Sequence, residues 1–484
     1  MRLPIEATPE DSRSQDWAPH HVSADLFCGC GGLSLGFTMT RRFSVAFGCD
    51  ISPAATATFA LNHARDDVLP TVYTGDIREM SVDAIAEAIS ERGVRQGELG
   101  CLIGGPPCEG FSQNRSLNSG GKPGRGVSAR VDKFIDDPRN RLFKWFVDIA
   151  AASQPKVVLI ENVPDLVRHR GGETMAEILD ALTEAGYIAT ARVLNAANFG
   201  VPQLRRRMFL LAQRISDFQA TGIRLKFPEP THHPYPLGHQ ELDMDSDWLP
   251  GDAGYWTTVR EAIGDLPDAV ARGDENGRAL VYPPANLTSL RMFLRSRDGV
   301  PPLNHIARPL GGSGLEKLRR RELETPEEAD RNGRRDHYYY SYKRLRWAEP
   351  ARTITKFVYH IGSGMFAHPE ADRALTMREA ARLQTFPDWF EFPTARIRET
   401  SGLIGGAVPP LLAMRIAQQV AAYLDALTLA KLDAGTRSNL RPQVSDAVVR
   451  RLEREEWSSA RQRHEPLRLP LAADLLPDEV AEVG

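Results

Sequence analysis

The stretch Asp25-Leu-Phe-Cys-Gly-Cys-Gly-Gly32 is the point from which the fold can be read, although alone it is equally compatible with a dinucleotide site. An apolar run, SADLF (23–27), drops into a glycine-rich turn that opens a helix, and glycines there let the backbone approach a ligand closely. Further short apolar runs follow: SVAFGC (44–49), CLIGG (101–105), VVLIEN (157–162), YIATARVL (187–194) and RMFLLA (207–212). Between them, 81–90, 139–152 and 173–185 carry apolar residues three and four apart and read as amphipathic helices. Strand and helix alternating in this way predict an α/β fold, a doubly wound Rossmann-like sheet that binds ligands at the carboxyl ends of its strands. After Lys226 the texture changes to FPEPTHHPYPLG and then to a long stretch broken by Pro, Gly and charge, which predicts a smaller irregular domain. Thr376, with Glu379 three residues on, caps a helix over 376–384, and a second helical pattern spans 410–427. The expected division is a tail (1–21), the sheet domain (22–227), the irregular domain (228–372), helices returning to the first domain (373–427) and a charged tail (428–484).

Composition narrows the function. The chain has 484 residues, with 60 basic against 63 acidic side chains and a formal net charge of −3. A protein that coats nucleic acid non-specifically draws its affinity from displaced counterions and needs a large positive excess, which is absent. No apolar run approaches the roughly 20 residues of a membrane helix, and the amino terminus lacks a basic start and an apolar signal core. No membrane partner and a cytoplasmic location are therefore expected. The five cysteines are Cys28, Cys30, Cys49, Cys101 and Cys108; the odd count and clustering argue for reduced thiols over a disulfide framework. Cys28 and Cys30 are too close for a zinc knuckle and no second pair follows, so no metal site is expected. Nine of the basic residues are Lys and 51 Arg, which suits phosphate and guanine recognition but also follows from GC-rich codon usage.

The chemistry-bearing residues fall at strand ends. Asp50 closes the second run, placed to accept hydrogen bonds from ribose hydroxyls, and Asp76 in Gly75-Asp76-Ile77 is placed for an adenine amine. No Lys-Ser/Thr phosphate grip follows the glycine turn, so an adenosine without a polyphosphate fits better than ATP; a turn needed only for strand–helix packing is the alternative. In Gly104-Gly-Pro-Pro-Cys108-Glu-Gly-Phe-Ser112, prolines and glycines hold a cysteine on a rigid loop, where a nucleophilic thiol belongs. The other four cysteines sit in or beside strand patterns and read as buried and inert. Glu161 ends VVLIEN at the same rim, where a carboxyl can share a proton with a ring nitrogen. In Gln203-Leu-Arg205-Arg-Arg207, strand alternation sets Arg205 and Arg207 on one side and Arg206 on the other.

Taken in order, DLFCGCGG, Asp50, GDI (75–77), GGPPCEGFS, DPRNRLFKWFVDIA, ENV, QLRRR, LTMREAARLQTFPDWF and IGGAVPP resemble the cytosine-5 DNA methyltransferase family from Asp25 to Leu427. The resemblance implies a sequence-specific DNA (cytosine-5-)-methyltransferase using S-adenosylmethionine. The cofactor would lie along Phe27, Gly29 and Gly32, with Asp50 at the ribose, Ile51 on the adenine, Asp76 and Ile77 at its rim, and Pro107 and Leu142 completing the pocket. Cys108 would add to cytosine C6, Glu161 would hold N3 and the exocyclic amine, Arg207 would hold O2, and Arg205 would order the cysteine loop and a phosphate. The base must be flipped out of double-stranded DNA, at a cost of a few kcal/mol of stacking. Residues 228–372 would form the target-recognition domain, with Ser112, Gln203, Arg319, Arg321, Arg335, Lys343 and Arg346 as expected DNA contacts. A solvated charged face is the alternative there, since Glu322, Glu324, Glu327 and Glu328 are interleaved.

Two positions depart from the family pattern: Gly406 stands where Asn is usual and Glu109 where Gln is usual. Activity is still expected because the nucleophile remains. A methyltransferase-like DNA-binding protein with weakened catalysis and an RNA cytosine-5 methyltransferase are the alternatives. A monomer associated with the nucleoid is expected, with a cognate restriction endonuclease or other defence protein as partner.

Overall fold

The computed structural model describes residues 21–64, 69–90, 94–107, 141–235, 251, 254–270, 282, 288–295, 302–325, 328, 339–394 and 396–436. Cys108, Glu109, Ser112 and Arg335 lie outside the described residues.

Seven strands form the main sheet: β1 (His21–Leu26), β2 (Phe43–Asp50), β3 (Thr71–Thr74), β4 (Cys101–Gly104), β5 (Val157–Asn162), β6 (Tyr187–Asn195) and β8 (Arg206–Arg214). Their order is β3-β2-β1-β4-β5-β8-β6, with all neighbours parallel except those of β8. The chain winds one way from β1 to β3 and the other way from β4, so the crevice beyond the carboxyl ends of β1 and β4 is the switch point where such sheets take ligands. β3 lay outside the apolar runs of the sequence because TVYT is short and half-exposed. β7 (Gln203–Leu204) pairs in parallel with β9 (Ala351–Arg352), tying the distant segment to the approach of β8.

Burial on both faces explains the continuous apolar runs. On β5, Val157 and Leu159 join the core beneath the carboxyl-terminal helices, whereas Val158 and Ile160 join the core under helices Val82–Ser90, Arg141–Ser153 and Glu173–Glu184. Helix Gly32–Thr38 packs on the long helix Pro410–Thr436 so closely that a Cβ on Gly36 would meet Ala413 Cβ at 2.3 Å. The long helix runs beyond the expected 427. Helix Met377–Leu383 starts at a complete capping box: Thr376 Oγ1 accepts from the Glu379 N–H (3.1 Å) while Glu379 Oε2 accepts from the Thr376 N–H (2.8 Å). No described helix is long and apolar enough to cross a membrane.

Candidate active site

The glycine loop after β1 is held by the carboxylate that ends β2. Phe27, at φ 62°, and Gly29, at φ 55°, turn the chain back over the sheet, and Asp50 accepts hydrogen bonds from the Gly29 N–H (3.0 Å) and the Ser52 N–H (2.8 Å). A Cβ added to Gly29 would have no atom within 4 Å, so the loop borders open space. Ile51, next to Asp50, is 69% exposed. An exposed apolar side chain and a carboxylate with unused lone pairs at a sheet switch point fit an adenosine, whose ring wants the first and whose hydroxyls want the second. Ile77 is buried, Leu142 half-buried at the start of helix Arg141–Ser153, and Pro107 exposed beyond β4.

Asp76 and Gly32 both have neighbours within the chain. Arg78 faces the Asp76 carboxylate with its N–H (3.0 Å) and Nε (2.9 Å), and this partner holds the Asp76 carboxyl below the usual range. Gly32 is buried, and a Cβ there would meet Val408 O at 2.5 Å; its missing side chain serves packing against the carboxyl-terminal segment.

Across the crevice, Glu161 near the end of β5 meets Arg207 near the start of β8, because the antiparallel pairing brings those two ends together. Arg207 Nε lies 3.1 Å from Glu161 Oε1, and the Glu161 side chain is 15% exposed. Burial pushes the Glu161 carboxyl up, against the pull of Arg207, Arg205 and Lys356. A carboxyl whose hold on a proton is strengthened by burial can share that proton with a heteroaromatic nitrogen. Asn162, quoted in the sequence only as part of ENV, donates from Nδ2 to Pro106 O (3.0 Å) and so fixes the loop that leads to Cys108. Lys356 was not foreseen, since nothing local links it to Glu161.

The four described cysteines are buried, and burial raises their thiols, Cys30 and Cys49 to about 12. Burial disfavours the thiolate form at all four.

Three basic or polar residues expected at DNA turn inward. Arg205 is 1% exposed and donates to the carbonyls of Ile354 (3.0 Å), Gly405 (3.1 Å) and Ala407 (3.0 Å). It braces the carboxyl-terminal segment through Nη1 and Nη2, while its buried Nε has no partner among the described residues. Gln203 is fully buried; its amide donates to Leu383 O and Gln384 Oε1, each at 3.0 Å, and accepts from the Ile354 N–H (2.8 Å). Arg321 is buried on Glu324 and the carbonyls of Ser341 and Tyr339. Sequence alternation predicts sidedness but not depth, and the β7–β9 pairing covers this side. Arg319 and Arg346 stay exposed in ion pairs with Asp372 (3.4 Å) and Glu349 (2.8 Å). Lys343 lies with Nζ 3.4 Å from the centre of the Tyr339 ring. Gly406, exposed at the end of helix Ile397–Gly406, would place a Cβ 3.2 Å from Lys356 Cε, a movable neighbour.

Comparison with known proteins agrees with this architecture. The chain is 32% identical over 400 residues to the type II methyltransferase M1.HphI of Haemophilus parahaemolyticus, covering 82% of this chain and 85% of that one. It is 30% identical over 456 residues to the type II methyltransferase M.AgeI of Thalassovita gelatinovora, covering 82% and 98%. The fold is also that of a prophage-encoded E. coli protein assigned as a DNA modification methyltransferase, with a TM-score of 0.59 at 22% identity over 84% of this chain and 99% of that one. The profile of the family described as C-5 cytosine-specific DNA methylase matches residues 22–422, and the chain belongs to that family of enzymes.

Proposed function

We propose that Cys108 is the nucleophile of DNA cytosine-5 methylation in this chain, and that Glu161 and Arg207 hold the flipped cytosine. The observation that carries this reading is the half-buried Glu161–Arg207 pair at the rim, on the strand beside β4, with Asn162 holding Pro106 two residues before Cys108 in the chain. Cytosine C5 is unreactive while the ring is aromatic. Addition of the Cys108 thiolate to C6 breaks the aromaticity and moves electron density to C5. Glu161 shares a proton with N3, which drains charge from the ring, and Arg207 keeps the carboxylate in line. When bound, S-adenosylmethionine supplies an electrophilic methyl group; Gly29, Asp50 and Ile51 are the residues proposed to hold it. Loss of the C5 proton to a base then expels the Cys108 thiolate and restores the ring. Residues 228–372 are proposed to select the target sequence, and a restriction endonuclease of the same specificity is the proposed partner, as suits relatives described as type II methyltransferases.

The test is methyl incorporation from labelled S-adenosylmethionine into mixed-sequence duplex DNA, with transfer RNA as the competing substrate. Wild type is expected to label the duplex, Cys108→Ala to give no product, and Glu161→Gln to slow turnover by about 100-fold or more, within the range for positioned proton transfer. Full activity of Cys108→Ala, or a preference for transfer RNA, refutes the assignment.

A further inference from the structure

The arginines of the second half of the chain differ in whether a carboxylate already holds them. Arg319 pairs with Asp372, Arg321 with Glu324, Arg344 with Glu322 and Asp372, and Arg346 with Glu349. Arg352 is exposed, and among the described residues no carboxylate pairs with it. Instead its Cζ lies 4.1 Å from the centre of the Tyr340 ring, and its Nη2 donates to the Tyr340 hydroxyl. Tyr340 packs edge-on to Tyr339, 5.1 Å away, and the Lys343 ammonium lies 3.4 Å from the centre of the Tyr339 ring. The result is a row of cation, ring, ring and cation with the guanidinium plane fixed at one end. Stacking and the hydroxyl together set the orientation of that plane, and the rotamer freedom a planar fork must give up is already lost.

The backbone fixes Arg352 relative to the base pocket as well. Arg352 is paired with Leu204 in the β7–β9 ribbon, three residues before Arg207, so hydrogen bonds set the spacing between the guanidinium and the Glu161–Arg207 pair. Arg352 and Arg346 both line a cavity of about 220 Å³ whose apolar wall includes Leu204, Trp256 and Met365. A planar fork of fixed orientation beside an apolar-walled recess, its backbone paired three residues before Arg207, suits the edge of a base.

We propose that Arg352 is a specificity-determining residue, its guanidinium held by Tyr340 to donate two hydrogen bonds to O6 and N7 of a guanine in the target site. The inference rests on duplex DNA being the substrate, but its test does not need turnover. A randomised duplex library is selected for binding to full-length wild type, Arg352→Lys, Arg352→Ala and Tyr340→Phe in the presence of S-adenosylhomocysteine, and the bound pools are sequenced. Wild type is expected to fix a guanine at one position. Arg352→Lys, which keeps the charge but loses the fork, and Arg352→Ala are expected to lose roughly 5- to 150-fold of the preference there. Tyr340→Phe is expected to lose part of it, and preference at other positions is expected to persist in all three. A uniform fall in binding to all sequences would assign Arg352 to the phosphate backbone and overturn the proposal. So would an unchanged guanine preference in both Arg352 variants, or a wild-type pool with no fixed guanine. A catalytically inactive wild type would fail the methylation assay above yet leave this selection readable.

Discussion

Replacing Arg205 by Met should unfold the enzyme more readily while leaving its electrostatic contact with DNA unchanged. The guanidinium is 1% exposed and closes three hydrogen bonds of 3.0, 3.1 and 3.0 Å onto backbone carbonyls of two separate segments. Met fills most of the volume but leaves Ile354, Gly405 and Ala407 without this donor. A buried acceptor stripped of its partner costs about 1–3 kcal/mol. Ala407 O keeps a contact from Gln384 Nε2 (3.5 Å), so two acceptors are stripped; at about 1.5 kcal/mol each, low in the range because deleting a buried charge also recovers its desolvation cost, they give about 3 kcal/mol. Urea unfolding of both proteins at pH 7 measures the difference. In parallel, DNA affinity is measured against salt concentration, where each phosphate contact contributes about 0.9 to the log–log slope. The expectation is a stability loss of about 3 kcal/mol with the slope unchanged. A variant within about 0.5 kcal/mol of wild type whose slope is shallower by about 0.9 would show that Arg205 reaches a phosphate after all.

Burial pushes the Asp25 carboxyl up to about 7 from 3.8, despite the hydrogen bond from Ser34 Oγ. The folded state therefore binds this proton more tightly than the unfolded chain, so the contribution is present in full below pH about 4 and is lost as pH rises through about 7. It amounts to at most about 4 kcal/mol, and Asp25→Asn should flatten that part of the stability profile in urea unfolding at pH 5 and pH 8; an unchanged profile refutes the assignment. Two glycines should part company in thermal unfolding. A Cβ on Gly104 would sit 2.0 Å from the Leu26 carbonyl oxygen, so Gly104→Ala should cost about 3 kcal/mol or abolish folding. Gly406→Asn meets only the end of Lys356 and should stay within about 0.5 kcal/mol of wild type, so normal folding of the first variant or collapse of the second contradicts the packing described.

Local order in the chain already dictates most of the sheet, three of the helices on its faces and which residues stand at the rim. Runs such as VVLIEN declare a strand buried on both faces, and the residue that ends a strand must stand at the rim, so Asp50 and Glu161 were legible without coordinates. The capping box at Thr376 and Glu379 is equally local and appears as expected. Depth and partnership were decided by tertiary structure alone. Arg205, Arg206 and Arg207 are chemically alike and adjacent, yet the first is buried against carbonyls, the second is exposed and the third pairs with Glu161. That separation comes from β9, drawn from far along the chain to pair with β7, and from the end of helix Ile397–Gly406, whose Gly405 carbonyl receives Arg205. A charge pattern in sequence carries no record of which carbonyl or carboxylate will reach it. The same reason hid Lys356 and the Arg352–Tyr340 stack: a cation's role depends on what long-range folding sets within a few ångströms of it.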